Sequence, residues 1–130
     1  MQEYNLGLFT IKAIPTYHDV QNTSYLINFK PTTVYYATDT YKLDYLDCLR
    51  NLNYYFVERN FSEEEINKRI EEKMLNNEYS YEVRVKNSHM SEEETNKFLM
   101  EMMGKESQFI YCHQHIDKYI EKEGNKNENN

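Results

Sequence analysis

Apolar positions along this chain fall into short runs separated by polar stretches. Residues 8–15 (LFTIKAIP) alternate loosely with a period of two and stop at Pro15, which predicts a strand. TYHDVQNT (16–23) reads as a polar loop. SYLINF (24–29) and the stretch 32–38 predict two more strands, with Lys30-Pro31 as the turn between them. Asp39-Thr40 falls at the end of the third strand. Leu43, Leu46 and Leu49 share one face of a predicted short helix over 42–51, and NYYFVE (53–58) predicts a fourth strand.

The later elements carry clearer start signals. Ser62 followed by Glu63-Glu64-Glu65, then Ile66 and Ile70 at helical spacing, predicts a capped helix to about Leu75. A polar loop is expected over 76–90. Ser91 with Glu92-Glu93-Glu94 repeats the pattern and opens a helix to about Met103, with Phe98, Leu99 and Met102 inward and Gly104 as its C′ residue. QFIYC (108–112) predicts a fifth strand and 115–122 a last helix. The order β-β-β-α-β-α-α-β-α predicts an α/β domain over 1–122, a mixed sheet with flanking helices. Residues 123–130 contain no apolar side chain and are expected to form a disordered polar tail.

Composition narrows the function classes. With 130 residues the chain is expected to hold one domain. A net charge of −7 argues against broad adhesion to nucleic acid, whose backbone is neutralised by Lys and Arg. It leaves room for a nucleic-acid substrate handled through a metal. No apolar run approaches the roughly 18 residues of a membrane span, and MQEYNLGLFT lacks the basic start of a signal peptide. A cytoplasmic chain without membrane contact is expected. The two cysteines, Cys48 and Cys112, predict no disulfide framework and are expected to be buried apolar residues.

The candidate chemistry lies at element ends. His18 follows the first strand, Asp39 ends the third, His89 precedes a capped helix and His113 ends the fifth strand. Sheet ends are where α/β domains build sites, and imidazole with carboxylate suits zinc, manganese or iron. Singly, each has a plain reading as a loop histidine or turn aspartate. Together they form a series: His18-Asp19 in IPTYHDVQNTSYLI, Asp39 in VYYATDTY, Glu58 in YYFVERN, His89 in NSHMSEEE and His113 in FIYCHQH.

In this order and spacing the series resembles the second half of a metallo-β-lactamase-fold hydrolase, closest to the phosphodiesterase- and nuclease-like bacterial and phage branch. The resemblance covers about residues 8–117. It implies a partial αββα sandwich, a divalent metal cofactor (zinc first, manganese or iron next), and two ions in the complete domain. It implies hydrolysis of phosphodiester bonds, nucleic acid included, by a metal-activated water. Under it His18, Asp39 and His113 are metal ligands, with Asp39 bridging, and His89 is a catalytic residue serving the phosphoryl group. Glu58 matches a scaffold acid of the family, with Asn60 nearby.

The departures are specific. The family's His-x-His-x-Asp-His signature is absent. Tyr41 replaces the usual Gly after TDT, Gln114-His115 replaces Leu-Ser, and NSHMS loses a Gly. The chain therefore reads as a C-terminal half, expected to pair with an N-terminal half or to self-associate through an exposed sheet face. The alternative is a truncated, non-catalytic fragment or partner-dependent interaction module. A rearranged site at His113-x-His115-x-Asp117 is a weaker reading, since a solvated helix start explains it.

Overall fold

The computed structural model describes residues 1–114. The predicted helix at 115–122, the polar tail, His115 and Asp117 lie outside the described residues.

Six strands form one mixed sheet in simple sequence order. They are β1 (Gln2–Asn5), β2 (Thr10–Pro15), β3 (Thr23–Phe29), β4 (Thr32–Ala37), β5 (Tyr54–Glu58) and β6 (Gln108–Cys112). Neighbours are antiparallel from β1 to β4, while β4, β5 and β6 run parallel. Three helices follow β5: α1 (Glu63–Leu75), α2 (Glu82–Ser88) and α3 (Glu92–Met102). The expected α/β mixed sheet with flanking helices is thus present.

The parallel order has a direct consequence for chemistry. The C-terminal ends of β4, β5 and β6 all open on one edge of the sheet, so Asp39, Glu58 and His113 are delivered to the same place. The segment carrying His89 arrives by another route. Asn60 N–H donates to the Met90 carbonyl at 3.0 Å and Glu92 N–H to that of Phe61 at 2.7 Å, which lays residues 89–92 beside 59–61.

The sheet has two unlike faces. One carries Tyr35, Tyr55 and Val57, which pack under Phe98, Leu99 and Met102 of α3. The Phe98 ring lies 6.0 Å from Tyr35 and 6.3 Å from Tyr55. The polar tips of these core tyrosines are all paired. Burial raises the Tyr35 phenol to about 12, so it stays neutral and donates to Ser24 Oγ at 2.9 Å. Tyr55 Oη lies 2.6 Å from the Leu49 carbonyl and accepts from Leu52 N–H at 3.1 Å.

The other face is apolar and bare. Side chains alternate across a strand, so the register builds two cross-strand rows there. Ala13, Tyr25, Tyr36, Phe56 and Ile110 form one, and Ile11, Ile27, Val34, Tyr54 and Gln108 the next. Neither row contains a charge. Tyr25, Tyr36 and Ile110 remain 41%, 42% and 53% exposed.

Several sequence expectations need correction. The polar hairpin strand β1 was not expected, because all four of its side chains face solvent and give no apolar signal. The stretch 42–51 holds only a 3-10 turn, Asp47–Leu49, although Leu43 and Leu49 are buried as expected. The link from β4 to β5 is tied down by loop bonds instead, Thr40 Oγ1 donating to the Lys42 carbonyl at 2.7 Å and Tyr41 N–H to the Tyr17 carbonyl at 2.9 Å. The loop expected over 76–90 contains α2. Its Glu82 is buried, and although burial opposes ionisation, bonds from Lys73 Nζ at 2.7 Å and Ser80 Oγ at 2.9 Å hold its carboxyl below the usual range.

At the helix starts, Ser91 accepts from Glu94 N–H at 3.1 Å, whereas Ser62 makes no such bond. Gly104 is not left-handed; a Cβ there would instead run into the Asn51 side chain. Cys48 is exposed rather than buried, and Cys112 is half-buried.

Tyr55→Phe tests the core. It removes one hydroxyl from three backbone partners, the Leu49 and Met102 carbonyls and the Leu52 N–H, and leaves that N–H unmatched. Unsatisfied buried groups cost about 1–3 kcal/mol. The expected outcome is a loss of that size in chemical unfolding, with an unchanged circular dichroism spectrum.

Candidate metal centre

Glu58 organises the site. It ends β5, and none of its surface reaches solvent. Its Oε2 accepts from Thr40 N–H at 3.1 Å. Its Oε1 lies 2.5 Å from His89 Nδ1, 3.0 Å from His113 Nδ1 and 3.3 Å from Asn60 Nδ2. The same His113 nitrogen is 3.0 Å from Asp39 Oδ1, and His89 Nδ1 is 3.9 Å from it.

Asp39, Glu58, His89 and His113 therefore each bring one donor atom, all within 4.8 Å of one another. Ligands lie about 2.0–2.2 Å from a bound divalent ion, so a group this tight fits around one. Two carboxylates and two imidazoles also suit zinc, manganese or iron by donor type. Charge points the same way. A fully buried carboxylate calls for hydrogen-bond donors or a cation, and two imidazoles, those of His89 and His113, face Glu58 Oε1. The bond to Glu58 raises the His89 pKa first; burial works against this, and the charges of Glu58, Asp39 and Asp19 add to it.

The sequence positions of these donors explain how they are presented. Asp39 and His113 both have left-handed backbone, φ +54° and +49°. Asp, Asn and His tolerate that region better than most residues. Each turns the chain at the end of a parallel strand and throws its side chain back across the edge.

His18 stands outside the group of four. Its Nδ1 bonds the Ser88 carbonyl at 2.9 Å and its Nε2 lies 3.0 Å from Asp19. Its ring packs on that of His89, with centroids 5.5 Å apart, and His89 in turn meets His113 at 5.1 Å. The three imidazoles thus form a row, with His18 behind His89. Glu58, expected to be scaffold, is the residue that every other member of the group approaches. Its burial at a strand end was not visible in the sequence, since a strand-end Glu ordinarily faces water.

Comparison with known proteins fixes the architecture. A crystal structure of the metallo-β-lactamase fold protein YhfI from Bacillus subtilis matches 96% of this chain, with a TM-score of 0.63 and 19% identity. The chain has the metallo-β-lactamase fold. It spans 46% of the length of YhfI. No family model matches the sequence, and no curated protein matches it. Among the described residues, no helix is long and apolar enough to cross a membrane.

The His89–Glu58 contact has a pH signature in metal-free protein. A raised histidine pKa in the folded state means that the pairing stabilises fully below the unfolded value, near 6.5. That contribution fades as pH rises through the folded pKa. In EDTA, thermal stability should therefore decline from pH 6 towards pH 9. His89→Gln should flatten most of that decline, as followed by circular dichroism.

Proposed function

We propose that this chain is the C-terminal half of a metal-dependent hydrolase acting on phosphodiester bonds. The observation that carries the reading is the buried Glu58 carboxylate ringed by Asp39, His89 and His113, at the C-terminal edge of parallel strands. Asp39 and His113 would hold the ion, zinc by preference, and His18 would serve a second ion from the neighbouring loop. A divalent ion at such a site lowers the pKa of water and offsets charge on the phosphoryl group.

The chain's own residues supply the rest. Glu58 accepts from His89 Nδ1 and fixes the ring, which leaves Nε2 to take or deliver the substrate's proton. Thr40 N–H and Asn60 Nδ2 hold Glu58 in place on its other sides.

Two variants test the roles. Asp39→Asn should abolish stoichiometric Zn²⁺ or Mn²⁺ binding. His89→Ala should retain the metal and lower turnover of the reconstituted enzyme about 10²–10⁴-fold, the range of a lost acid–base group. Loss of metal from His89→Ala would make His89 a ligand and the site a four-donor centre.

The bare sheet face supports the partner half of the reading. Tyr25, Tyr36, Tyr54 and Ile110 lie exposed together in these two uncharged rows, and contiguous apolar patches can mark interfaces. We propose that a second half carrying His-x-His-x-Asp-His covers this face and completes the site. The chain alone should self-associate in sedimentation and fail to hydrolyse bis-(p-nitrophenyl) phosphate. Co-expression with that half should restore both solubility and turnover. A monodisperse, active monomer would overturn the proposal. Solubility without turnover would favour the non-catalytic, partner-dependent module.

A further inference from the structure

The Asp39 turn is gripped by one side chain from another loop. Asn22, half-buried just ahead of β3, points its carboxamide at residues 38 and 39. Its Nδ2 donates to the Thr38 carbonyl at 2.7 Å and to the Asp39 carbonyl at 2.8 Å. Along a strand, successive carbonyls point to opposite sides of the ribbon. Here two successive carbonyls face one NH2 group, so the pair of bonds is tied to the bent backbone. That bend is the left-handed conformation of Asp39, φ +54°, which persists only where the surrounding structure holds it.

The loop that carries Asn22 is itself fixed. Thr16 N–H donates to the Asn22 carbonyl at 3.2 Å. Tyr17 N–H donates to Thr40 Oγ1 at 3.0 Å, and Tyr41 N–H to the Tyr17 carbonyl at 2.9 Å. The grip on Asp39 is therefore made from a braced platform.

We infer that Asn22 is a positioning residue for Asp39: its twin N–H donors hold the turn that aims the Asp39 carboxylate at His113. This rests on the reading of Asp39 as a metal ligand. The side chain is well chosen. Asn offers two donors on one nitrogen at short reach. Ser offers one and Ala none.

The test is Mn²⁺ titration of the purified full chain, read by the electron paramagnetic resonance of free Mn²⁺. Asn22→Ala and Asn22→Ser should each bind about 10–100-fold more weakly, the usual cost of losing a group that orients a metal ligand. Asn22→Gln, which keeps both donors, should recover most of the affinity. Tyr55→Phe, destabilised at a remote site, should bind as the wild type does. Wild-type affinity in both Asn22→Ala and Asn22→Ser would overturn the inference. So would an equal loss in Tyr55→Phe, because the effect would then be one of stability. Asp39→Asn separates the two levels. If it loses Mn²⁺ while the Asn22 variants do not, only the positioning role fails. If it binds normally, the metal reading itself fails.

Discussion

A carboxylate sealed from water must be met by donors or by positive charge, and the site follows from how Glu58 meets that demand. Its partners come from separate pieces of chain. Thr40 follows β4, Asn60 follows β5, His89 lies between α2 and α3, and His113 follows β6. Satisfying one side chain thus ties together the ends of three parallel strands and the helical segment. Even its backbone is engaged: the Glu58 carbonyl accepts from Thr95 Oγ1 at 2.5 Å, which pins α3 to the end of β5. The same α3 brings Phe98 and Leu99 onto the sheet, so the polar cluster and the apolar core are anchored through one helix.

Burial makes this arrangement costly to disturb. Leaving an ionised carboxylate in an apolar surround without partners is far more unfavourable than losing a surface ion pair. The exposed pairs of this chain are different in kind. The Arg84–Asp19 and Arg50–Asp47 contacts sit in water and contribute little. Arg84–Asp19 still matters through position, because Asp19 also meets His18, and His18 bonds the last residue of α2. That line of contacts runs from the β2–β3 loop to the residue just before His89.

The sequence was most informative where chemistry and local backbone agree. The strands were legible because Tyr, Val, Phe and Ile cluster between turns. The α3 helix was legible because Ser91 and its three glutamates announce it. Asp39, His89 and His113 stood out as rare chemical residues at element ends, and the fold does bring these three together. Other features depend on distant partners. Glu58 becomes central only when β6 pairs with β5. Asn22 looks like an ordinary loop residue until the Asp39 turn is placed beside it. Helix α2 is short and polar, and its buried Glu82 makes sense only against Lys73 of α1. The leucines at 43 and 49 gave the right inward side and the wrong backbone, since burial fixes which residues point inward without fixing how the chain runs between them.

Left-handed backbone links these observations. The four non-glycine residues with positive φ among those described are Asp39, Asn51, Asn77 and His113, all of types that accept the conformation. Two of them are the residues read as ligands. At a strand end, a residue in this conformation reverses the chain and frees its side chain from the alternation of the sheet. Asp39 and His113 can then converge on each other from β4 and β6, although β5 lies between those strands. A residue locked in the extended pattern would point to one face or the other and could not reach across. The requirement for convergence therefore selects residues that both ligate and tolerate the bend, and Asp and His are among the few that do both.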